Sequence, residues 1–184
     1  RITPGSVLIR AQTRRGLLHG AATLCQLIRA NRRGSALPAL AIHDWPSIGW
    51  RAFQDDITRG PSTRLRQLKR DVARGAALKL NIFTYYMQHQ FAFTKHPLIG
   101  PEDGSLTAQE LAALVAFARS QGVHIMGNQQ SFAHMQHTLA HEQYAHLRED
   151  ARTLSPARDE TYQLLDDLYS DVLPVLDFEF FNVC

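Results

Sequence analysis

The chain has 184 residues, of which 45% are hydrophobic, 20% charged and 9% aromatic, with a formal net charge of +3. That balance excludes collagen-like, disordered and disulfide-scaffold classes, and the length suits one domain with a sizeable core. No apolar run reaches the roughly 18 residues of a membrane span, and the opening RITPGSVLIRAQTRRG has no signal-peptide core.

The charge is unevenly placed. Residues 1–60 hold nine basic and three acidic groups, and the remaining 124 hold 11 and 14. A basic end can mark nucleic-acid binding. Here the arginines are scattered around an amphipathic segment without an RNA-binding or helix-turn-helix signature, so no nucleic-acid partner is expected. The two cysteines, Cys25 and Cys184, leave the compartment open.

Ser6–Arg10 alternates weakly and predicts a strand. Arg14–Ala30 carries Leu17, Leu18, Ala21, Leu24, Leu27 and Ile28 at helical spacing, and Gly34 is its expected stop. Pro38 and Pro46 bracket a short apolar strand, and a domain boundary is expected there. Beyond it the pattern alternates between strand and helix. Trp50–Asp56 is a strand; Ser62 caps a helix to about Leu78; Leu80–Tyr86 is an aromatic and branched strand. Leu106–Ser120 is a helix in which Thr107 and Glu110 form a capping box, and Val123–Met126 is the next strand. A histidine-rich helix follows. Ser155–Pro156 starts another, and Asp177–Val183 is the final strand.

Four strands alternating with helices imply parallel βα units. Polar residues gather at the strand ends: Asp55, Asp56 and Arg59, then His89 and Gln90, then Asn128, Gln129, Gln130 and His134. Barrels and doubly wound sheets both place ligands at carboxyl ends, so this pattern alone does not separate them.

Several segments together resemble glycoside hydrolase family 20, the β-N-acetylhexosaminidases. AATLCQLIRA with LPALAIHDWP resembles the end of the family's small α+β domain and its junction with the barrel. WRAFQDDITRG resembles the first barrel strand, with Arg51, Asp56 and Arg59 on the family's Arg, Asp and Arg steps and Ala52 replacing a glycine. LKLNIF and TYYMQHQ sit at the second strand, and LTAQELAALVAFARSQGVHI at the second helix and third strand. GNQQSFAH takes the place of the family's Pro-Glu-Ile-Asp-x-Pro-Gly-His and keeps only His134. FFNVC resembles the approach to the catalytic Asp-Glu pair. The chain departs from the family at Thr84 and Tyr86, which replace two histidines, and at Asn128 and Gln130, which replace Glu and Asp.

The resemblance implies an α/β chain: a remnant of a small α+β domain over residues 1–46, then the first four strands of a (β/α)8 TIM barrel over 47–184, since a whole barrel takes about 250 residues. It implies an enzyme that removes terminal non-reducing N-acetylhexosamine from oligosaccharides or glycoconjugates, with no cofactor or metal. In that mechanism the sugar's own acetamido carbonyl is the nucleophile, a Glu is acid then base, and an Asp orients the acetamide. The Asp-Glu pair is expected just beyond Cys184, so the chain itself is expected to be inactive. Asp159–Glu160 and Asp166–Asp167 read as solvated helix charges.

Arg51 is the expected binder of sugar hydroxyls, because a guanidinium presents donors in a fixed plane; its alternative is a structural ion pair. Asp56 either contacts substrate or pairs with Arg59. His134 is the expected supporting group near the acid/base, or else a loop histidine. Asn128, Gln130, His89 and Gln90 suit a neutral sugar, or simply order their loops. Tyr85, Tyr86, Phe91 and Phe93 offer a sugar platform or core packing. Two other functional readings stay open: a non-catalytic carbohydrate-binding homologue, and a metal-dependent hydrolase using His137 and His141. The second fits HTLAH only by spacing, since Thr138 stands where the zinc-protease Glu belongs.

Overall fold

The computed structural model describes residues 1–60 and 63–184. Its first unit is a short antiparallel hairpin, β1 (Ile2–Thr3) and β2 (Ser6–Val7), followed by α1 (Arg14–Ala30). The strand expected over Ser6–Arg10 shrinks to two residues. The one expected between Pro38 and Pro46 is a single bridge from Leu40 to Ile2. Thr13 caps α1 by accepting from the Gly16 N–H at 3.0 Å, and Asn31 closes it.

A four-stranded parallel sheet follows: β3 (Ala52–Asp56), β4 (Ile82–Tyr86), β5 (His124–Asn128) and β6 (Phe181–Asn182), in that spatial order. Neighbours in sequence are neighbours in space. The connecting helices are α2 (Leu65–Ala77), α3 (Ala108–Ser120), the single turn α4 (Gln136–Leu139) with a 3-10 segment at Glu142–Leu147, and α5 (Asp159–Val172). The helix start assigned to Ser62 lies outside the described residues. No helix among the described residues is long and apolar enough to cross a membrane.

The core lies between sheet and helices. Leu68 and Val72 of α2, Leu111, Leu114 and Ala118 of α3, and Leu164, Leu168 and Val172 of α5 are buried there with Phe83, Tyr85 and Ile125. Each large apolar side chain so buried contributes about 1.5–3 kcal/mol. Period-2 alternation turns Phe83 and Tyr85 toward the helices and leaves Thr84 and Tyr86 on the opposite face. Gly75 is required by this packing, because a Cβ there would stand 2.3 Å from the Phe83 ring.

Two helix expectations change. Pro156 does not open α5, which begins at Asp159; the buried Ser155 instead accepts the Thr161 hydroxyl at 2.8 Å through its carbonyl. The histidine-rich segment makes only one helical turn, so His137 and His141 do not share a helix face. The last strand covers Phe181–Asn182 rather than all of Asp177–Val183.

Candidate functional site

The register pairs Asp56 with Tyr86 and Asn128 with Asn182, so the carboxyl ends of the strands form one edge of the sheet. At the end of β3, Asp56 accepts the Thr58 N–H at 2.9 Å and the Thr58 hydroxyl at 2.6 Å, and pairs with Arg59. Burial alone would raise the Asp56 carboxyl, but these Thr58 and Arg59 hydrogen bonds outweigh it and hold the group below the usual carboxylate range. The Arg59 guanidinium lies 5.4 Å above the Tyr86 ring.

Tyr86 is the hub of the next strand end. Its buried hydroxyl accepts from Gln88 Nε2 at 2.8 Å and from Gln130 Nε2. Gln129 Nε2 donates to the Gln88 carbonyl at 2.9 Å, tying the ends of β4 and β5 together. His134 meets the Tyr86 ring edge-on, 6.5 Å between centroids. Gln88 and His134 both hold left-handed backbone, φ 45° and 57°. Strain of this kind is tolerated where the surroundings fix a side chain for use.

Asn128 is fully buried at the end of β5, and its Oδ1 accepts from Cys184 Sγ at 3.3 Å. Burial pushes the Cys184 thiol up despite that bond. His89 is half-buried and stacks on His137, with ring centroids 3.9 Å apart. Burial, and next the charge of His137, drive its pKa down to about 4. Several buried polar atoms at these strand ends lack a partner among the described residues: His89 Nδ1, Gln90 Oε1, Asn128 Nδ2 and Gln129 Oε1. Unmatched buried groups are costly and rare in native folds.

The sheet therefore gathers Asp56, His89, Asn128, Gln130 and His134 at one end. Arg51 does not join them. It precedes β3, at the amino end of the sheet, and five residues of strand separate the two ends by about 16 Å. Its Nε donates to the Lys79 carbonyl at 2.8 Å and its Nη1 to the carbonyls of Ile48 and Gly49 at 2.7 and 3.1 Å. The guanidinium anchors the backbone at Ile48, Gly49 and Lys79. Arg59 is the arginine at the polar end, where it pairs with Asp56. Tyr85, Phe91 and Phe93 are core residues; of the four aromatics, only Tyr86 enters this cluster.

Tyr86 and Gln88 were the members that sequence reasoning undervalued. Their signal was the alternation in LNIFTYYMQ, which places Thr84 and Tyr86 away from the helices. The histidine pair expected for a metal separates: His137 lies against His89, and His141 meets Tyr144 edge-on at 6.3 Å. Among the described residues no three or more metal-ligating side chains converge. Asp167 is not merely solvated, since it takes contacts from Lys95 and His96. A cavity of about 920 Å³ lies elsewhere, at the amino end, lined by Val7, Leu24, Ile42, Arg51 and Lys79 among others.

A four-stranded parallel sheet wound in sequential order, with helices packed against it, defines a mixed α/β protein. Residues 1–45 match the model of the family described as glycosyl hydrolase family 20, domain 2. The chain shares its fold with Flavobacterium johnsoniae chitobiase at TM-score 0.76 and 23% identity, over 91% of this chain and 28% of that one. A β-N-acetylhexosaminidase from Bacteroides fragilis NCTC 9343 gives TM-score 0.80 at 18% identity, over 96% and 40%. A mutant Streptomyces plicatus β-hexosaminidase, in complex with product GlcNAc, gives 0.77 at 24%, over 91% and 40%. The chain thus spans well under half the length of these structures. The family model thus accounts for residues 1–45, and the solved structures share the fold of nearly the whole chain.

Proposed function

We propose that this chain is part of a β-N-acetylhexosaminidase that removes terminal N-acetylhexosamine from glycans, with the polar strand ends binding the terminal sugar. The observation that carries the reading is the set of uncharged buried donors and acceptors at those ends, several still unmatched. Sugar hydroxyls and an acetamide are neutral groups that both give and accept hydrogen bonds, so they answer such a set without demanding a countercharge. The family match over residues 1–45 and the likeness to hexosaminidases, one holding GlcNAc, support the same reading.

In this reading residues 1–46 close a small α+β domain, and residues 47–184 form the first four strands of a (β/α)8 barrel. The sequential strand order is consistent with that barrel. Hydrolysis is substrate-assisted and retaining, with the sugar's acetamido oxygen attacking the anomeric carbon. The acid/base Glu and its Asp partner follow directly after Cys184, so the 184-residue chain binds sugar without turning it over. Asn128, Gln130 and Tyr86 hold the sugar, His134 supports the acid/base end, and Asp56 with Arg59 frames the opening.

The test is a titration of the 184-residue chain with N-acetylglucosamine, followed by NMR. Shifts confined to the carboxyl strand ends, at Tyr86, Gln88, His89, Asn128 and Gln130, and lost in Gln130→Leu, are expected. Shifts spread over the amino end, or none at all up to high millimolar sugar, would overturn the reading.

A further inference from the structure

His137 has no assigned role at the strand ends, yet it is the residue packed against His89. The two rings lie nearly parallel, 25° apart in tilt and 3.9 Å apart in centroid. A face-to-face stack of this kind cannot chelate a metal, because the nitrogens of both rings lie at the ring edges. What it does is hold one imidazole in place with the other.

The position of His89 gives that hold a purpose. It sits just past β4, between Gln88, which donates to Tyr86, and Gln90, whose Oε1 is buried without a partner among the described residues. His89 Nδ1 is likewise buried and unmatched. From the loop after β5, Gln129 reaches the Gln88 carbonyl. Other titratable or charged groups of this end include Asp55 on β3, Cys184, which donates to Asn128, and Tyr86, His134, Arg59 and Asp56, which contact one another. The charge neighbour that acts on His89 is His137, which disfavours a proton on it. Burial and the neighbouring His137 thus both favour the neutral form of the His89 ring.

We propose that His137 is a positioning residue for sugar binding, clamping His89 as a neutral imidazole whose ring nitrogen exchanges a hydrogen bond with a hydroxyl of the bound sugar. The assignment rests on the sugar-binding reading above and extends it to a residue on α4. It also makes binding fall in acid, once the buried ring is forced to take a proton and the stack opens. Burial, and next the charge of His137, push the His89 pKa down to about 4, so its ring is neutral near pH 7.

The experiment uses the 184-residue chain, with N-acetylglucosamine as probe and histidine ring signals read by NMR from pH 4 to 8. The sugar is expected to shift the His89 ring, and wild-type His89 to titrate near pH 4. His137→Ala is expected to weaken the sugar about tenfold, the scale of one hydrogen bond, and to move the His89 midpoint upward. His137→Phe keeps a stacked ring without a second charge, and restores affinity. A sugar that binds without disturbing His89, or a His137→Ala chain with unchanged affinity and midpoint, overturns the positioning role while leaving sugar binding intact. A wild-type chain that binds no sugar at any pH overturns both.

Discussion

Tyr86 shows how one side chain organises the polar end of the sheet. Its ring lies under Arg59, and its hydroxyl accepts from two amides on different strand ends. Removing that hydroxyl leaves Gln88 and Gln130, both buried, with unmatched donors. Tyr86→Phe is therefore expected to cost about 1–3 kcal/mol in denaturant unfolding. An unchanged midpoint would show that the amides had found other acceptors. The residue was visible in the sequence as an aromatic on a strand, but its pairing with Gln130 was not, because that residue comes from a loop 44 positions further on. Arg51 carries the opposite lesson. Its residue type suited a sugar, but it precedes β3 at the amino end of the sheet, where three backbone carbonyls accept from its donors. A motif read by spacing alone did not register which end of the strand each arginine would occupy.

Among the elements, those with local stop and start chemistry were legible to within a few residues. The bounds of α1 follow from the helical stripe of Leu17, Leu24 and Ile28. Those of α3 follow from the Thr107 and Glu110 capping box, in which both reciprocal bonds form, each at 3.1 Å. Thr107→Ala is expected to lower stability by about 1 kcal/mol, seen as about 2–4 °C in thermal unfolding. A shift of several times that size would mean the cap also orders the preceding loop. Elements whose bounds depend on distant contacts were not legible. Pro156 looked like a helix start, but Ser155 is buried in a turn, and α5 opens three residues after Pro156. The loop after β4 is fixed only in three dimensions: Thr94 donates twice to Asp171, and His96 shares a hydrogen bond with Tyr144 at 2.8 Å. No local pattern announces such tethers.

At the scale of the molecule, apolar side chains accumulate along both outer strands of the sheet. Trp50, Phe53 and Phe180 are each about half exposed, and Trp50 lies 4.8 Å from Phe180 between centroids. Open strand edges flanked by exposed aromatics favour association. The 184-residue chain is expected to self-associate at tens of micromolar in sedimentation velocity, and the double variant Trp50→Ser, Phe180→Ser to shift toward monomer. A wild-type chain that stays monomeric throughout would overturn this. Parallel βα order was legible from the alternation of strand and helix patterns. Which apolar residues would remain uncovered was not, because that depends on what stands beside β3 and β6.

The amino ends of the strands are fastened by the first 46 residues: Arg15 meets His124 at 2.6 Å, Gln26 donates to the Ala77 carbonyl at 2.8 Å, and Asp44 pairs with Lys79 at 2.5 Å. None of these partners belongs to the polar carboxyl edge. The sheet thus separates these attachments from its polar carboxyl edge, one set at each end of strands five residues long or shorter. The loops at the carboxyl edge can then change without disturbing how the amino ends are moored to the first 46 residues.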